Sequence, residues 1–252
     1  MTDNKIITDR EEMLETLKYD PRRLKYASDT LKDDREVVLE AVKENGHYLK
    51  YASDTLKDDR EFVLKVLTNT DWDTSDALQY TSDSLKDDRK VVLEFVRANG
   101  RMLDYASDTL KADHEVVIEA IRNNALVLEY ADDTLKADRE VVLEALNDDG
   151  YVLDYSPLQF ANIKFTSDPE KMLEALKIDP ETIDYADKDL FTDHNFMLNA
   201  IKIDEACVEY AGEKLWGDRE FVIETMKLDI YNLDFASEEL QNDPELKKLL
   251  EG

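Results

Sequence analysis

Asp34-Arg35-Glu36-Val37-Val38-Leu39-Glu40-Ala41-Val42 is the stretch that decides the fold, because the chain keeps returning to it. Its opening tripeptide recurs as Asp59-Arg60-Glu61, Asp88-Arg89-Lys90, Asp113-His114-Glu115 and Asp138-Arg139-Glu140. Degenerate copies begin at Asp9, Asp168, Asp193, Asp218 and Asp243. The spacings are 25, 25, 29, 25, 25, 30, 25, 25 and 25, so ten starts define nine complete units and a C-terminal half unit. Self-similarity at such a period is the signature of stacked repeats, each too small to bury its apolar face alone.

Counting each unit from its leading Asp, apolar residues fall at positions 4, 5, 8 and 9, as in Val37, Val38, Ala41 and Val42. That is helical spacing, and Leu39 widens the stripe to suit a helix sandwiched between neighbours. The leading Asp reads as the N-cap, and Pro169 and Pro244 directly after it fix the register. Gly46, Gly100 and Gly150 at position 13 read as left-handed residues ending the first helix. Elsewhere Asp20-Pro21 and Asp179-Pro180 open a second helix by the cap-then-proline device. It carries Leu49, Tyr51 and Ala52 at positions 16, 18 and 19, and Ser53 caps a closing turn whose Leu56 packs back. Two helices of about 8 to 11 residues must stack to become stable.

The expected architecture is an all-α, right-handed α-solenoid of about nine two-helix repeats of ~25 residues. Insertions interrupt it near Thr68 to Ser75 and near Pro157 to Ile163. They divide it into regular repeats over 1–155, an insertion over 156–167 and divergent repeats over 168–252. Ile6 and Ile7 hold the closing-turn register and cap one end; Pro244 to Leu250 caps the other.

The pattern Asp-Arg-Glu-Val-Val-Leu-Glu-Ala-Val followed by Leu-x-Tyr-Ala-Ser resembles the short helical repeats of domain-of-unknown-function family 4116. The resemblance is clearest from Asp34 to Tyr155, while the last three units depart from it at Asn195, Gly212 and Trp216. It implies tandem helical repeats and carries no activity with it.

Composition supports a folded, acidic chain. Of 252 residues 42% are apolar, and six Gly and five Pro are too few for an all-β fold. Sixty acids face 32 bases, a net charge of −28, which opposes contact with a phosphate backbone and favours basic partners. With Cys207 as the one cysteine there is no intramolecular disulfide and no cysteine zinc cage. No apolar run suits a signal peptide or a membrane span, so a cytoplasmic location is expected.

Catalytic chemistry finds little support. His47, His114 and His194 read as surface residues, the latter two replacing the Arg of the first helical turn. Cys207 falls where Met102 and Val127 stand in other copies and reads as a partly buried thiol. Asp71, Asp73, Ser75 and Asp76 faintly resemble a calcium loop, but Asp76 stands where the turn glycine belongs and Ser82 where the final Glu belongs. The ladder Tyr26, Tyr51, Tyr80, Tyr105, Tyr130, Tyr155, Tyr185, Tyr210 and Phe235 could stack bases, yet it reads better as core with the hydroxyl at the rim. No metal, no cofactor and no catalytic residue is expected.

Charge by repeat position says more. Position 7, on the outer face of the first helix, is Glu in seven of nine units, broken by Lys65 and Asn199. Position 17 reads Lys25, Lys50, Gln79, then Asp104, Glu129, Asp154, Asp184, Glu209 and Asp234. The ladder therefore changes sign. Residues 1–126 hold 20 bases and 28 acids, and residues 127–252 hold 12 and 32. Beside it position 14 varies freely and includes Tyr151 and Tyr231. At about 9–10 Å per unit the array would be about 85 Å long. Its −28 charge then gives roughly one charge per 3 Å, near that of a DNA strand. The expected function is a non-enzymatic interaction module whose acidic row, with Tyr151 and Tyr231, binds a basic protein surface, with no nucleic acid or membrane bound directly. The alternative is an inhibitor that mimics nucleic acid.

Overall fold

The computed structural model describes residues 5–69, 77–147 and 156–250. Its named elements are helices and helical turns, with one isolated parallel bridge between Ile7 and Ala27. The chain forms two compact units, Met1–Leu135 and Lys136–Gly252. The first carries long helices Arg10–Tyr19, Arg35–Val42, Arg60–Asn69, Arg89–Ala98 and His114–Asn123. The second carries Arg139–Leu146, Pro169–Ile178, His194–Ile203, Arg219–Met226 and Pro244–Leu249. The expected all-α tandem repeat is present in both.

Three short-range devices build each repeat. The leading Asp accepts from backbone N–H groups of the first turn at all ten starts, from Asp9 to Asp243. Position 12 is a second capping residue: Asp20, Asn45, Asn99, Asn124, Asp179, Asp204 and Asp229 each accept from the N–H two residues on. Ser28, Ser53, Ser82 and Ser107 then cap single α-turns beginning at Asp29, Asp54, Asp83 and Asp108. Each cap satisfies donors that a helix of one to three turns leaves open.

Two expectations need correction. The second helix is not α-helical: Pro21–Tyr26, Gly46–Tyr51, Gly100–Tyr105 and Ala125–Tyr130 are six-residue 3₁₀ helices. The cap at position 12 fixes one end. At the other the chain turns extended at Ala27, Ala52, Ala106 and Ala131, which leaves room for tight i to i+3 bonds only. The glycines are not left-handed C-caps either. Gly46 and Gly100 begin the 3₁₀ helices, where a Cβ on Gly46 would lie 2.8 Å from Ala77 Cβ. On Gly100 it would lie 2.3 Å from the Ala120 carbonyl oxygen. Close approach of neighbouring repeats selects glycine there. Gly150 lies outside the described residues.

Packing between repeats uses the expected apolar positions. Leu24, Leu49, Leu78, Leu103 and Leu128 at position 16 are fully buried, as are Val37, Val38, Ala41 and Val42 on one long helix. Each such aliphatic side chain contributes roughly 1.5–3 kcal/mol, which isolated helices of this length could not supply for themselves. A backbone bond also joins successive repeats. The N–H at position 20 donates to the carbonyl at position 24 of the repeat before it, at 2.8–3.0 Å throughout. In the first unit Ser53, Ser82, Ser107 and Asp132 pair with Lys32, Lys57, Lys86 and Lys111, and Ser28 with Ile7. In the second, Asn162, Asp187, Gly212 and Ser237 pair with Lys136, Thr166, Phe191 and Trp216. Ile7 is buried and Ile6 is 54% exposed.

That bond also fixes the register of the sixth repeat. Asn162 stands where Ser stands elsewhere, so Leu158, Gln159 and Phe160 hold positions 16, 17 and 18. Ser156 caps their short 3₁₀ helix, and Phe165 fills the slot of the closing Leu. The stretch from Pro157 to Thr166 is thus the second half of a repeat.

Candidate interaction face

The long helices and the 3₁₀ helices carry their acid differently. On the long helices much of it is matched by base. The Arg at position 2 reaches the capping Asp of the next repeat: Arg10 Nε to Asp34 at 2.8 Å, Arg60 to Asp88 at 3.3 Å, Arg89 to Asp113 at 2.8 Å, and Arg35 to Asp59. A second carboxylate, at position 3 of the next repeat, takes the far end of the guanidinium, as Glu115 does from Arg89 at 2.6 Å and Glu36 from Arg10. In the second unit Arg219 bonds Asp243 and Glu245 in the same way, while Arg139 reaches Glu174. One Asp therefore caps its own helix and clamps the previous repeat.

The clamp shows in the acidities. The Arg89 guanidinium holds the Asp113 carboxyl below the usual range, against its partial burial. At Asp34 burial pushes the other way, but the Arg10 bond and the Val37 N–H outweigh it and the carboxyl is again lowered. A further ladder crosses position 7. Arg97 bridges Glu94 at 3.1 Å and Glu119 at 2.9 Å, Arg122 returns to Glu119 at 3.0 Å, and Lys18 and Lys43 pair with Glu15 and Glu40. Glu119 is lowered by Arg97 for the same reason.

On the 3₁₀ helices the acid is bare. In the first unit consecutive 3₁₀ helices pack side by side from Pro21–Tyr26 to Ala125–Tyr130. This packing sets Lys25, Lys50, Gln79, Asp104 and Glu129 in sequence along one face, with Asp104 and Glu129 exposed. In the second unit Asp184, Glu209 and Asp234 are exposed on equivalent turns. Among the described residues Asp104, Glu129, Asp184, Glu209 and Asp234 meet no basic side chain at ion-pair distance. Tyr231 at position 14 is 72% exposed. Asp154 and Tyr151 lie outside the described residues, and the register set by Asn162 gives position 17 of that repeat to Gln159.

The aromatic ladder is not core, which corrects the reading of it as buried rings. Tyr26, Tyr51, Tyr80, Tyr105, Tyr130, Tyr185 and Tyr210 are half-buried, and Phe235 is 43% exposed. Position 18 follows position 17 a third of a turn further round the 3₁₀ helix, between the exposed row and the buried Leu row. The first two rings carry their own cations: Lys25 Nζ lies 4.6 Å from the Tyr26 centroid and Lys50 Nζ 4.9 Å from Tyr51. In the second unit one of these tyrosines meets a carboxylate through its hydroxyl. Tyr210 donates its hydroxyl to Asp184 Oδ1 at 2.5 Å, and that bond holds the phenol proton up to about 12.

His114 is exposed, as expected, whereas His47 and His194 are partly buried and engaged. His47 sits between Lys50, whose ammonium donates to Nε2 at 2.5 Å, and the Tyr80 hydroxyl, 2.7 Å from Nδ1. His194 holds the clamp position and meets Glu224 at 2.7 Å. Cys207 is buried, and burial pushes its thiol up to about 11, so it is a packed side chain and a poor nucleophile. Among the described residues no three His, Cys, Asp or Glu side chains gather as metal ligands, and no helix is long and apolar enough to cross a membrane. Asp71, Asp73, Ser75 and Asp76 lie outside the described residues. What sequence reasoning missed is the Arg clamp, whose signal was a spacing of 24 and 26 residues between the position-2 Arg and two acids wherever no insertion intervenes.

Capped long helix, 3₁₀ helix and closing turn, repeated and joined by one backbone bond, define a tandem helical-repeat protein. Residues 9–57, 34–72, 59–111, 113–158 and 193–246 match the family described as Domain of unknown function (DUF4116), and the chain belongs to it. No curated protein and no solved structure matches the chain.

Proposed function

We propose that this chain is a non-enzymatic interaction module whose 3₁₀ face binds a basic protein segment. The observation that carries this reading is the contrast between faces. Much of the acid on the long helices is clamped by Arg and Lys, whereas among the described residues Asp184, Glu209 and Asp234 stand exposed without a base. Of the three, Asp184 takes the Tyr210 hydroxyl, and without a base nearby all three repel one another.

The aromatic ladder specifies the chemistry of the partner. In the first two repeats a lysine at position 17 covers the tyrosine ring. In the acidic repeats of the second unit position 17 is Asp184 or Glu209 where Lys25 and Lys50 stand in the first, so the Tyr185 and Tyr210 rings with those carboxylates form half-sites for a cation from outside. Such a contact adds about 0.5–1 kcal/mol per ring at exposed sites. Neighbouring half-sites are one repeat apart, about 8–10 Å by helix packing. A polyproline-II segment advances about 9 Å over three residues and returns to the same face. The matched partner is therefore an extended segment with Arg or Lys at every third residue.

The test is titration of the chain with a labelled peptide of that period against one of equal composition with its bases paired. The periodic peptide should bind more tightly, with affinity falling as salt rises. Replacing Asp184, Glu209 and Asp234 with Lys should remove the difference. Equal binding of the two peptides, or binding untouched by the triple substitution, would defeat the proposal. Displacement of a cellular partner by duplex DNA would favour mimicry of nucleic acid instead.

A further inference from the structure

We infer a second, oppositely charged site: the groove between the helices Arg60–Asn69 and Arg89–Ala98 binds an acidic amphipathic helix. The groove encloses about 420 Å³, with Leu64, Leu67 and Leu93 on its floor and Arg60, Lys90 and Arg97 around it. Among the described residues Glu94 is the one acid lining it. In a chain of net −28 such a surface runs against the overall charge.

The repeat register shows how the groove departs from its neighbours. Position 3 is Glu at Glu36, Glu115 and Glu245, where it takes the far end of the clamping Arg. Here it is Lys90, so Arg60 keeps only Asp88, at 3.3 Å. Position 10 is Lys18, Lys43, Arg97 and Arg122 in other repeats; each pairs with the position-7 acid one turn back on its own helix, and Arg97 also reaches Glu119 of the next repeat. Here it is Thr68, which has no charge to pair, and its hydroxyl turns back to the Lys65 carbonyl at 3.0 Å. One substitution removes an acid and adds a base. The other opens the space above the leucines. Neither is called for by stacking: Lys90 forgoes the second clamp contact made at Glu36, Glu115 and Glu245, and Thr68 forgoes the crossing that Arg97 makes to Glu119.

The occupant follows from shape and charge. The floor runs along two packed helices from Arg60 to Thr68, about 12 Å at 1.5 Å per residue, and the bases stand along both walls. A helix with leucine-sized side chains at i, i+3, i+4 and i+7 would lay that stripe on Leu64, Leu67 and Leu93. Glu or Asp beside the stripe would meet Lys90, Arg60 and Arg97. A basic segment, the partner proposed for the 3₁₀ face, would be repelled here, so the two sites select opposite ligands.

The experiment uses fluorescence anisotropy on the full chain with a labelled Glu/Leu peptide that carries this stripe. A peptide of the same composition with the stripe scrambled is the control. Saturable binding of the striped probe alone is expected. The double substitution Lys90→Glu and Thr68→Lys restores the pattern of the neighbouring repeats, so it should fold as well as the parent. It should weaken the probe about tenfold or more. No saturable binding by the parent chain, equal binding of the scrambled peptide, or unchanged affinity in the double variant would each overturn the assignment. Because the probe is acidic, failure here leaves the basic-partner reading of the 3₁₀ face standing.

Discussion

At the scale of a residue, the leading Asp does more than cap. Asp113 accepts from the Val116 N–H and from Arg89 of the repeat before, so one carboxylate joins local helix start to inter-repeat contact. Position 13 shows how narrow the tolerance between repeats is. A methyl group on Gly100 would meet a backbone oxygen at 2.3 Å, whereas on Gly217 it would find its nearest neighbour at 3.6 Å. Gly100→Ala should therefore destabilise the protein by about 1–3 kcal/mol through overpacking. Gly217→Ala, in open contact distance, should stay within about 1 kcal/mol of the parent. Urea melts of the two variants check this, and equal midpoints would show that the repeats can shift apart at little cost.

At the scale of an element, the sequence resolved the long helix and its cap but mistook the companion. Apolar spacing over six residues such as Gly46 to Tyr51 fits α and 3₁₀ geometry alike, and only the bonds between Asn45 and Ala52 distinguish them. The tyrosines misled for a related reason: a ring flanked by Leu49 and Ala52 reads as core unless the tighter turn is known. Position 17 was legible as exposed because charge alternates there with no apolar residue. The Arg clamp was not, since its partners belong to the next repeat. That clamp sets a pH dependence. Asp34, Asp113 and Glu119 are lowered in the folded chain, so their stabilisation is complete above ordinary carboxylate values and is lost as pH falls through the depressed ones. Thermal melts should fall in acid below about pH 4. Arg89→Met should make that fall shallower, because Asp113 then titrates nearer its unfolded value. An unchanged acid limb would mean the clamp carries no folding energy.

At the scale of the whole molecule, a charge of −28 sets two electrostatic terms against each other. The ladders between long helices consist of exposed pairs, each worth about 0–1 kcal/mol and weakened by salt. The bare acids of the 3₁₀ face repel one another, and salt relieves that strain over a screening length of about 8 Å at physiological strength. With acids outnumbering bases 60 to 32, the second term should dominate, so added sodium chloride should raise the melting temperature. A fall would place the ladders above the repulsion.

The joint between repeats runs from a backbone N–H to a backbone carbonyl and consults no side chain. Its donor is Ser107, Asp132, Asn162 or Gly212, and its acceptor Lys86, Lys111, Lys136 or Phe191, with the same length within 0.2 Å. A coupling of that kind makes the repeats interchangeable parts. A copy can be duplicated, or exchange its exposed residues at positions 14 and 17, without renegotiating its fit to the next. Recognition can thus drift quickly along this chain while its architecture stays put.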